Sequence, residues 1–451
     1  MKTKIPRHNS IGLKIRQARK LRGFTLEELA EGICSLGKMS NIENGHTTAS
    51  DEELKKFSQK LNFPVSYFAD PDINEKIKEL DYIKHKIADL IGLQHWKYIK
   101  EELKVFKNKL EAYQIPRMKV DYDFLSGIFY LRTEQYQIAQ EFLTCVTETE
   151  DSSKYIARLK IKAYNALSSI LFIQKKTSMA IEMLNTALEI SKENPTVFKE
   201  EIDNIYYNLS ILYLYIGSTY QSLNFINKVH QHTINNIGTD YIKLLIRYLE
   251  DDVPQNIKDS LLSLRHKFQE TNDQEGILHG WALAVYTIAI SQPNRTIRKE
   301  LQEIFLTDIG RLSEIERFRG KALAIYQLGI YVLLSRFEEQ AFVQKLFNET
   351  KRLLSKVTDP ILLARNHYLE GRFHREFLKD TSSSLILFEK ALEALDIHYE
   401  GLLKAEILYE ISQIKDPMNS AKQSNEIYHI HLKRKILFTH FHELILPNFK
   451  Y

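Results

Sequence analysis

Apolar residues Ile11, Ile15, Ala18 and Leu21 recur at the spacing of one helix face and stop at Gly23, which predicts a first helix ending there. Thr25 and Glu28 form a T-x-x-E capping box that opens a short second helix over 25–31, with Leu29 and Ala30 turned inward. Ser35 caps a third helix whose inward residues are Met39 and Ile42. Asn44-Gly45 closes it, because glycine tolerates the left-handed conformation at a helix end. Leu54, Phe57, Leu61, Val65 and Phe68 supply the helices that complete a five-helix domain over residues 1–70, two of its helices joined by a tight turn. Pro64 and Pro71 punctuate the exit. A D-x-x-E cap (Asp72, Glu75) then opens a helical linker over 71–115, with Ile73, Ile77, Leu80, Ile87 and Ile91 along one seam and Lys84 interrupting it. Such a seam either pairs with its copy in a dimer or packs as the first helix of the repeats C-terminal to it.

Beyond residue 95 the pattern becomes repetitive. Leu125-Ser126, Leu167-Ser168 and Leu209-Ser210 recur 42 residues apart, each inside an apolar, Tyr-rich helix. Each is followed by a second helix, marked by Tyr136-x-x-Ala139-x-x-Phe142, by Ala180-x-x-Met183-Leu184 and by Leu223-x-x-Ile226. Later copies carry Leu328-Gly329 and Leu369-x-Gly371, the last with Phe388-x-x-Ala391-Leu392. Gly, Ala and Ser at fixed positions let paired helices approach closely, so each unit reads as a helix hairpin stacked on its neighbours. Residues 116–451 have room for eight units of 42.

Composition agrees with an all-α chain. Gly and Pro number 16 and 10 in 451 residues, about half their ordinary usage, too few for the turns of a β-rich protein. Two cysteines, Cys34 and Cys145, make no disulfide framework and fit a reducing compartment. The N-terminus has no apolar signal region, and the longest apolar run, 281–290, is half of what a membrane span needs. The expected location is the cytoplasm, with no membrane partner.

Charge is informative through its placement. Residues 1–70 hold 12 Lys/Arg against 8 Asp/Glu, and the remainder balances at 50 of each sign. Eight cations, Lys2, Lys4, Arg7, Lys14, Arg16, Arg19, Lys20 and Arg22, precede the first acid, Glu27. That field suits a polyanion. No phosphate loop, nucleophile elbow or H-E-x-x-H is present, so neither enzymatic activity nor a cofactor is expected. His429-x-His431 and His440-x-His442 lie at spacings that diverge on a helix, and no metal site is expected there.

Gly12-x-x-Ile15-Arg16-x-x-Arg19, Phe24-Thr25-x-x-Glu28-Leu29-Ala30 and Met39-Ser40-x-Ile42-Glu43-Asn44-Gly45 together resemble the phage-repressor (Cro/C1-type) helix-turn-helix family. The stretch Glu31-Gly32-Ile33-Cys34-Ser35 is similar to the peptide-sensing quorum regulators of Gram-positive bacteria and their phages (the PlcR-, NprR- and Rap-like RRNPP group). The hairpins resemble tetratricopeptide repeats, although 42 residues exceeds that family's 34. The resemblance implies a right-handed superhelix with a concave wall for a peptide. It also implies an internal salt bridge between Arg19 and Glu43. Contacts to double-stranded DNA fall to Ser35, Leu36, Lys38, Asn41 and Asn44 at the reading helix, with Arg16 and Arg22 from the basic helix. Leu36 departs from the polar residue usual there and offers a thymine methyl contact instead.

The resemblance further implies that Asn165 and Asn208, and with them Asn204 and Asn366, clamp the main chain of a short oligopeptide. The alternative is that these residues bridge neighbouring helices. The expected protein is a homodimeric transcriptional regulator on a palindromic operator, switched by its peptide. The alternatives are a Rap-like module that captures a response regulator, which would not need the basic helix-turn-helix, and a phage peptide receptor that decides lysogeny.

Overall fold

The structure, a computed structural model, describes residues 8–415 apart from 62, 64, 70–71, 94, 114, 152, 231–235, 251–256, 272, 291–294, 335–338 and 396–401. Lys2, Lys4, Arg7 and both His-x-His pairs lie outside the described residues, as do Pro64 and Pro71. Among the described residues all regular structure is helical. No helix among them is long and apolar enough to cross a membrane.

Five helices build the first domain: α1 (His8–Arg22), α2 (Leu26–Ala30), α3 (Leu36–Glu43), α4 (Asp51–Leu61) and α5 (Val65–Ala69). The capping box forms, with the Glu28 amide donating to Thr25 Oγ1 at 3.1 Å and the Thr25 amide to Glu28 Oε2 at 2.6 Å. Ser35 caps α3 by accepting from the Lys38 amide at 3.3 Å, and Gly45 ends it at φ +76°. Ile15, Ala18, Leu29, Met39, Ile42, Phe57, Leu61 and Phe68 are buried at the centre. Gly12 is where α1 meets the C-terminal turn of α3: a methyl there would fall inside the van der Waals shell of the Ile42 oxygen. Val65, expected in this core, is exposed, and Phe63 and Tyr67 are buried instead. A five-residue helix turns only one narrow face inward, and Tyr67 and Phe68 occupy it, with the Phe63 ring 4.5 Å from that of Tyr67.

The linker forms two helices, α6 (Ile73–Gly92) and α7 (Trp96–Tyr113). Asp72 stands at the N-cap of α6 without a side-chain capping bond; its carbonyl accepts from Glu75 and Lys76 instead. Of the two readings of the isoleucine seam, the chain realises packing on itself. Ile73, Leu80 and Ile87 are buried in one apolar cluster that runs from the first domain through α7 to Leu125 and Phe129.

Helix pairs come next: α8 (Pro116–Arg132) with α9 (Tyr136–Thr147), α10 (Lys154–Ile173) with α11 (Thr177–Ser191), and α12 (Lys199–Tyr215) with α13 (Thr219–Ile226). The chain divides into two compact units at Ile205/Tyr206, inside α12. The second unit continues with α14 (Asn236–Leu249), α15 (Ile257–Glu270), α16 (Gln274–Ile290), α17 (Arg295–Ser313), α18 (Arg319–Leu334) and α19 (Gln340–Leu354). It ends, among the described residues, with α20 (Pro360–Phe373), α21 (Thr381–Ala394) and α22 (Leu402–Lys415). The small residues allow the close approach their spacing implies. A Cβ on Gly127 of α8 would lie 2.7 Å from Leu143 of α9, and one on Gly371 of α20 would lie 2.6 Å from Phe388 of α21. In the equivalent place on α12, buried Ser210 shares a 2.7 Å hydrogen bond with Ser222 of α13.

The turns inside these pairs hold a feature the sequence conceals. Glu134, Lys175, Gly217, Glu339 and Lys379 each adopt positive φ, between +57° and +82°, between the paired helices. Only one of the five is glycine, and a Cβ in the left-handed region costs roughly 1 kcal/mol. Lys175→Gly is therefore expected to stabilise the first unit by about 0.5–1 kcal/mol. An upward shift of the urea midpoint would show this; a downward shift would mean that the turn is not strained at Lys175.

Candidate functional site

The helix-turn-helix sorts its third helix into two faces. Met39, Ile42 and Glu43 of α3 are buried, while Ser35, Leu36, Gly37, Lys38, Asn41 and Asn44 are exposed. The exposed set offers two amides able to pair with adenine, an ammonium, one hydroxyl group and an apolar tip, the chemistry that reads base edges in a major groove. Its backing is rigid. Arg19 donates to both carboxylate oxygens of Glu43, Nε at 2.6 Å and Nη2 at 2.9 Å, and to the Phe24 carbonyl at 2.8 Å. Those bonds tie α1 to the end of α3, so the implied internal salt bridge is present. Arg16, half exposed, approaches the same carboxylate at 3.9 Å from the edge of the face.

Two cations expected at DNA are held by acids that the sequence did not single out. Lys38 Nζ pairs with Glu53 Oε1 of α4 at 2.6 Å. Burial opposes ionisation of Glu53, yet hydrogen bonds from Lys38 and Ser50 outweigh it and hold the carboxyl below its usual range. The Lys38 side chain is 45% exposed and that of Glu53 12%. Arg22 is more enclosed. It donates to the Leu61 carbonyl at 2.8 Å, lies over the Phe63 ring at 5.4 Å, and forms an ion pair with Asp151, in the turn before α10. Asp151 also accepts from the Ser153 amide at 2.7 Å, which fixes its carboxylate. No local signal marks a partner 129 positions away, so only the fold identifies it.

The four asparagines lie on first helices of pairs, as their spacing implied: Asn165 on α10, Asn204 and Asn208 on α12, Asn366 on α20. Asn165, Asn208 and Asn366 are buried at 3%, 0% and 2% exposure, and Asn204 is half-buried. Asn165 and Asn208 already have partners. Asn366 keeps a buried Oδ1 with no hydrogen-bond partner. At the C-terminal end of the same helix lies a polar cluster that sequence reasoning missed. A π-helical turn, His374–Leu378, continues α20, and Arg372 donates to Glu376 at 2.8 Å while lying 5.4 Å above the Tyr331 ring. Arg375 forms an ion pair with Glu410 of α22, and Glu376 Oε2 is buried without a partner. Burial pushes the Glu410 carboxyl up, against the opposing pull of Arg375 and Arg372. A π turn re-aims the side chains beyond it, and its presence could not be read from the helical spacing of 372–376.

Burial also lowers the His367 imidazole below its usual 6.5, with Glu370 opposing. The fold thus prefers the neutral ring. Its contribution to stability is complete above pH 6.5 and falls away as the pH drops below that value. His367→Asn should therefore narrow the difference in denaturation midpoint between pH 7.5 and pH 5.5. An unchanged difference would mean that the ring is solvated. Among the described residues no cluster of His, Cys, Asp and Glu is arranged to hold a metal ion.

Comparison with known proteins agrees with the first domain. Residues 15–68 match the helix-turn-helix family, so the N-terminal segment is a helix-turn-helix domain. No curated protein matches the chain in sequence. Among solved structures, the chain is similar to Bacillus thuringiensis PlcR, determined in complex with the peptide PapR7 and DNA. That match has 14% identity over 81% of this chain and 99% of that one, with a TM-score of 0.25. It is also similar to the apo form of the competence regulator ComR from Streptococcus vestibularis, with 9% identity over 90% of this chain and 99% of that one, and a TM-score of 0.19. Both superpose loosely at full length.

Proposed function

We propose that the protein is a transcriptional regulator that binds operator DNA as a homodimer and is switched by a short oligopeptide bound on its helix repeats. The carrying observation is the sorted third helix: Lys38, Asn41 and Asn44 stand exposed beside Ser35 and Leu36 on a helix fixed from behind by the Arg19–Glu43 pair. Arg16 adds a cation at its rim, and Arg22 joins the DNA contacts only when Asp151 releases it. One reading helix covers one half-site, and a second copy of the chain supplies the other, which predicts a palindromic operator.

For the peptide, the supporting observation is the placement of Asn165, Asn204, Asn208 and Asn366 on first helices, with an unpaired acceptor at Asn366 Oδ1. An asparagine amide can donate and accept at once, which suits a peptide main chain. Because three of these side chains are buried, a peptide reaches them only when the helices covering them move apart. Binding and a change of helix packing are then one event. A peptide that prefers the altered packing shifts the population toward it.

The test is a genome-wide pull-down of DNA on the purified protein, repeated with short peptides encoded beside its gene. Enrichment of one palindromic site, strengthened or abolished by one peptide, is the expected result. Absence of enrichment under every condition would overturn the regulator reading. Asn165→Ala with Asn208→Ala should weaken peptide binding and leave peptide-free DNA affinity near normal; unchanged peptide affinity would overturn the role of these asparagines.

A further inference from the structure

Within the first unit, a cavity of about 110 Å³ lies where four stretches of sequence converge. Phe63 and Tyr67 enter from the helix-turn-helix domain, Asp81 and Lys84 from α6, and Asp121 and Tyr155 from α8 and α10, the rest of the wall being aliphatic or thioether. Its polar end is organised. Lys84 Nζ lies 2.8 Å from Asp81 Oδ1 and 3.8 Å from Asp121 Oδ1, and 5.6 Å from the centre of the Tyr155 ring, whose hydroxyl donates to Asp121.

Size, wall and charge each narrow the occupant. A void of about 150 Å³ accepts the six heavy atoms of benzene, so this one of about 110 Å³ takes a body of roughly four or five. The walls are aromatic and aliphatic, which favours a hydrocarbon body over water alone. Two carboxylates face one ammonium at the polar end, and a carboxylate offers about four acceptor sites, more than the Lys84 contact uses at Asp81. An anion there would meet both acids. A cation would gain Asp81, with Phe63 and Tyr67 as wall for the body attached to it.

We propose that this cavity is a binding site for a small alkylammonium ligand, with its charged group at Asp81 and its apolar body against Phe63 and Tyr67. Because the wall joins the DNA-binding domain to α6 and α10, occupancy stabilises that junction by mass action. The inference does not rest on DNA or peptide binding.

Three probes share one isobutyl body and differ in charge: isobutylamine, isobutyl alcohol and isovalerate. Titrated into the full-length protein at pH 7 and matched ionic strength, isobutylamine should raise the thermal midpoint in a saturable way. The alcohol should bind about fivefold more weakly, the margin a partly exposed ion pair supports, and isovalerate should not bind. Asp81→Asn, a change at a side chain 41% exposed and so tolerated by the fold, should reduce the amine to the level of the alcohol. Equal binding of amine and alcohol, no shift with any probe, or an amine preference that survives Asp81→Asn would each overturn the proposal.

Discussion

Glu43→Ala is expected to unfold the DNA-binding domain while the helix repeats persist, a loss of about 3–5 kcal/mol from the stability of α1–α5. Glu43 is 4% exposed at its side chain and Arg19 12%, and two bonds of 2.6 and 2.9 Å join them. Alanine leaves the guanidinium enclosed without its counter-charge, with only the Phe24 carbonyl to hold it. The cost is larger than that of any surface pair because solvent cannot replace the lost carboxylate. Hydrogen exchange on the full-length protein reads this directly. Amides of α1 and α3 should lose protection while those of α10 and α20 keep theirs; equal protection in both variants would show that the pair is dispensable. Double replacement by a matched apolar pair should recover much of the loss, since it removes both charges together.

Lys38→Glu should lower affinity for operator DNA by roughly tenfold to a hundredfold at 0.1 M salt, and should flatten the salt dependence by about one to two ions. Lys38 stands on the exposed face of α3, 45% exposed, and its present partner Glu53, 12% exposed, is the acid that a phosphate would displace. Reversal both removes a cation and places two carboxylates side by side facing a polyanion. Asn41→Ala, a neighbour on the same face, tests a different quantity. It should relax discrimination between operator and random DNA and leave the salt slope unchanged, because an amide reads bases and releases no counterions. A salt slope unaltered by Lys38→Glu would place the DNA-contacting face elsewhere.

How much of the chain is legible in its sequence depends on the range of the forces involved. The capping box at Thr25 and Glu28, the Ser35 cap and the turn at Gly45 all formed as the sequence implied, since each is settled within four residues. Gly127 and Gly371 were legible for a related reason: a repeat displays the same close approach several times. Val65 was misplaced in the core because a pattern of period 3.6 cannot register where a five-residue helix begins. The left-handed turns at Glu134, Lys175, Glu339 and Lys379 went unseen, because tertiary packing holds residues there that ordinary turn chemistry would avoid.

The candidate sites divide along the same line. Local periodicity marks Met39 and Ile42 as the inward face of α3, while Ser35, Lys38, Asn41 and Asn44 were assigned to DNA through the resemblance to the Cro/C1-type family. Asp151 against Arg22, Glu53 against Lys38 and the cavity beside Lys84 depend on pairs separated by 15 to 129 positions. The burial of Asn165, Asn208 and Asn366 is decided in the same way, by the helices packed against them. Helix identity, caps and the hairpin repeat were determined by the sequence itself, because backbone hydrogen bonds and apolar periodicity act over one or two turns. Partner choice for charged and amide side chains was decided only by tertiary structure. Coulombic and hydrogen-bond energies there depend on distances that no spacing along the chain encodes.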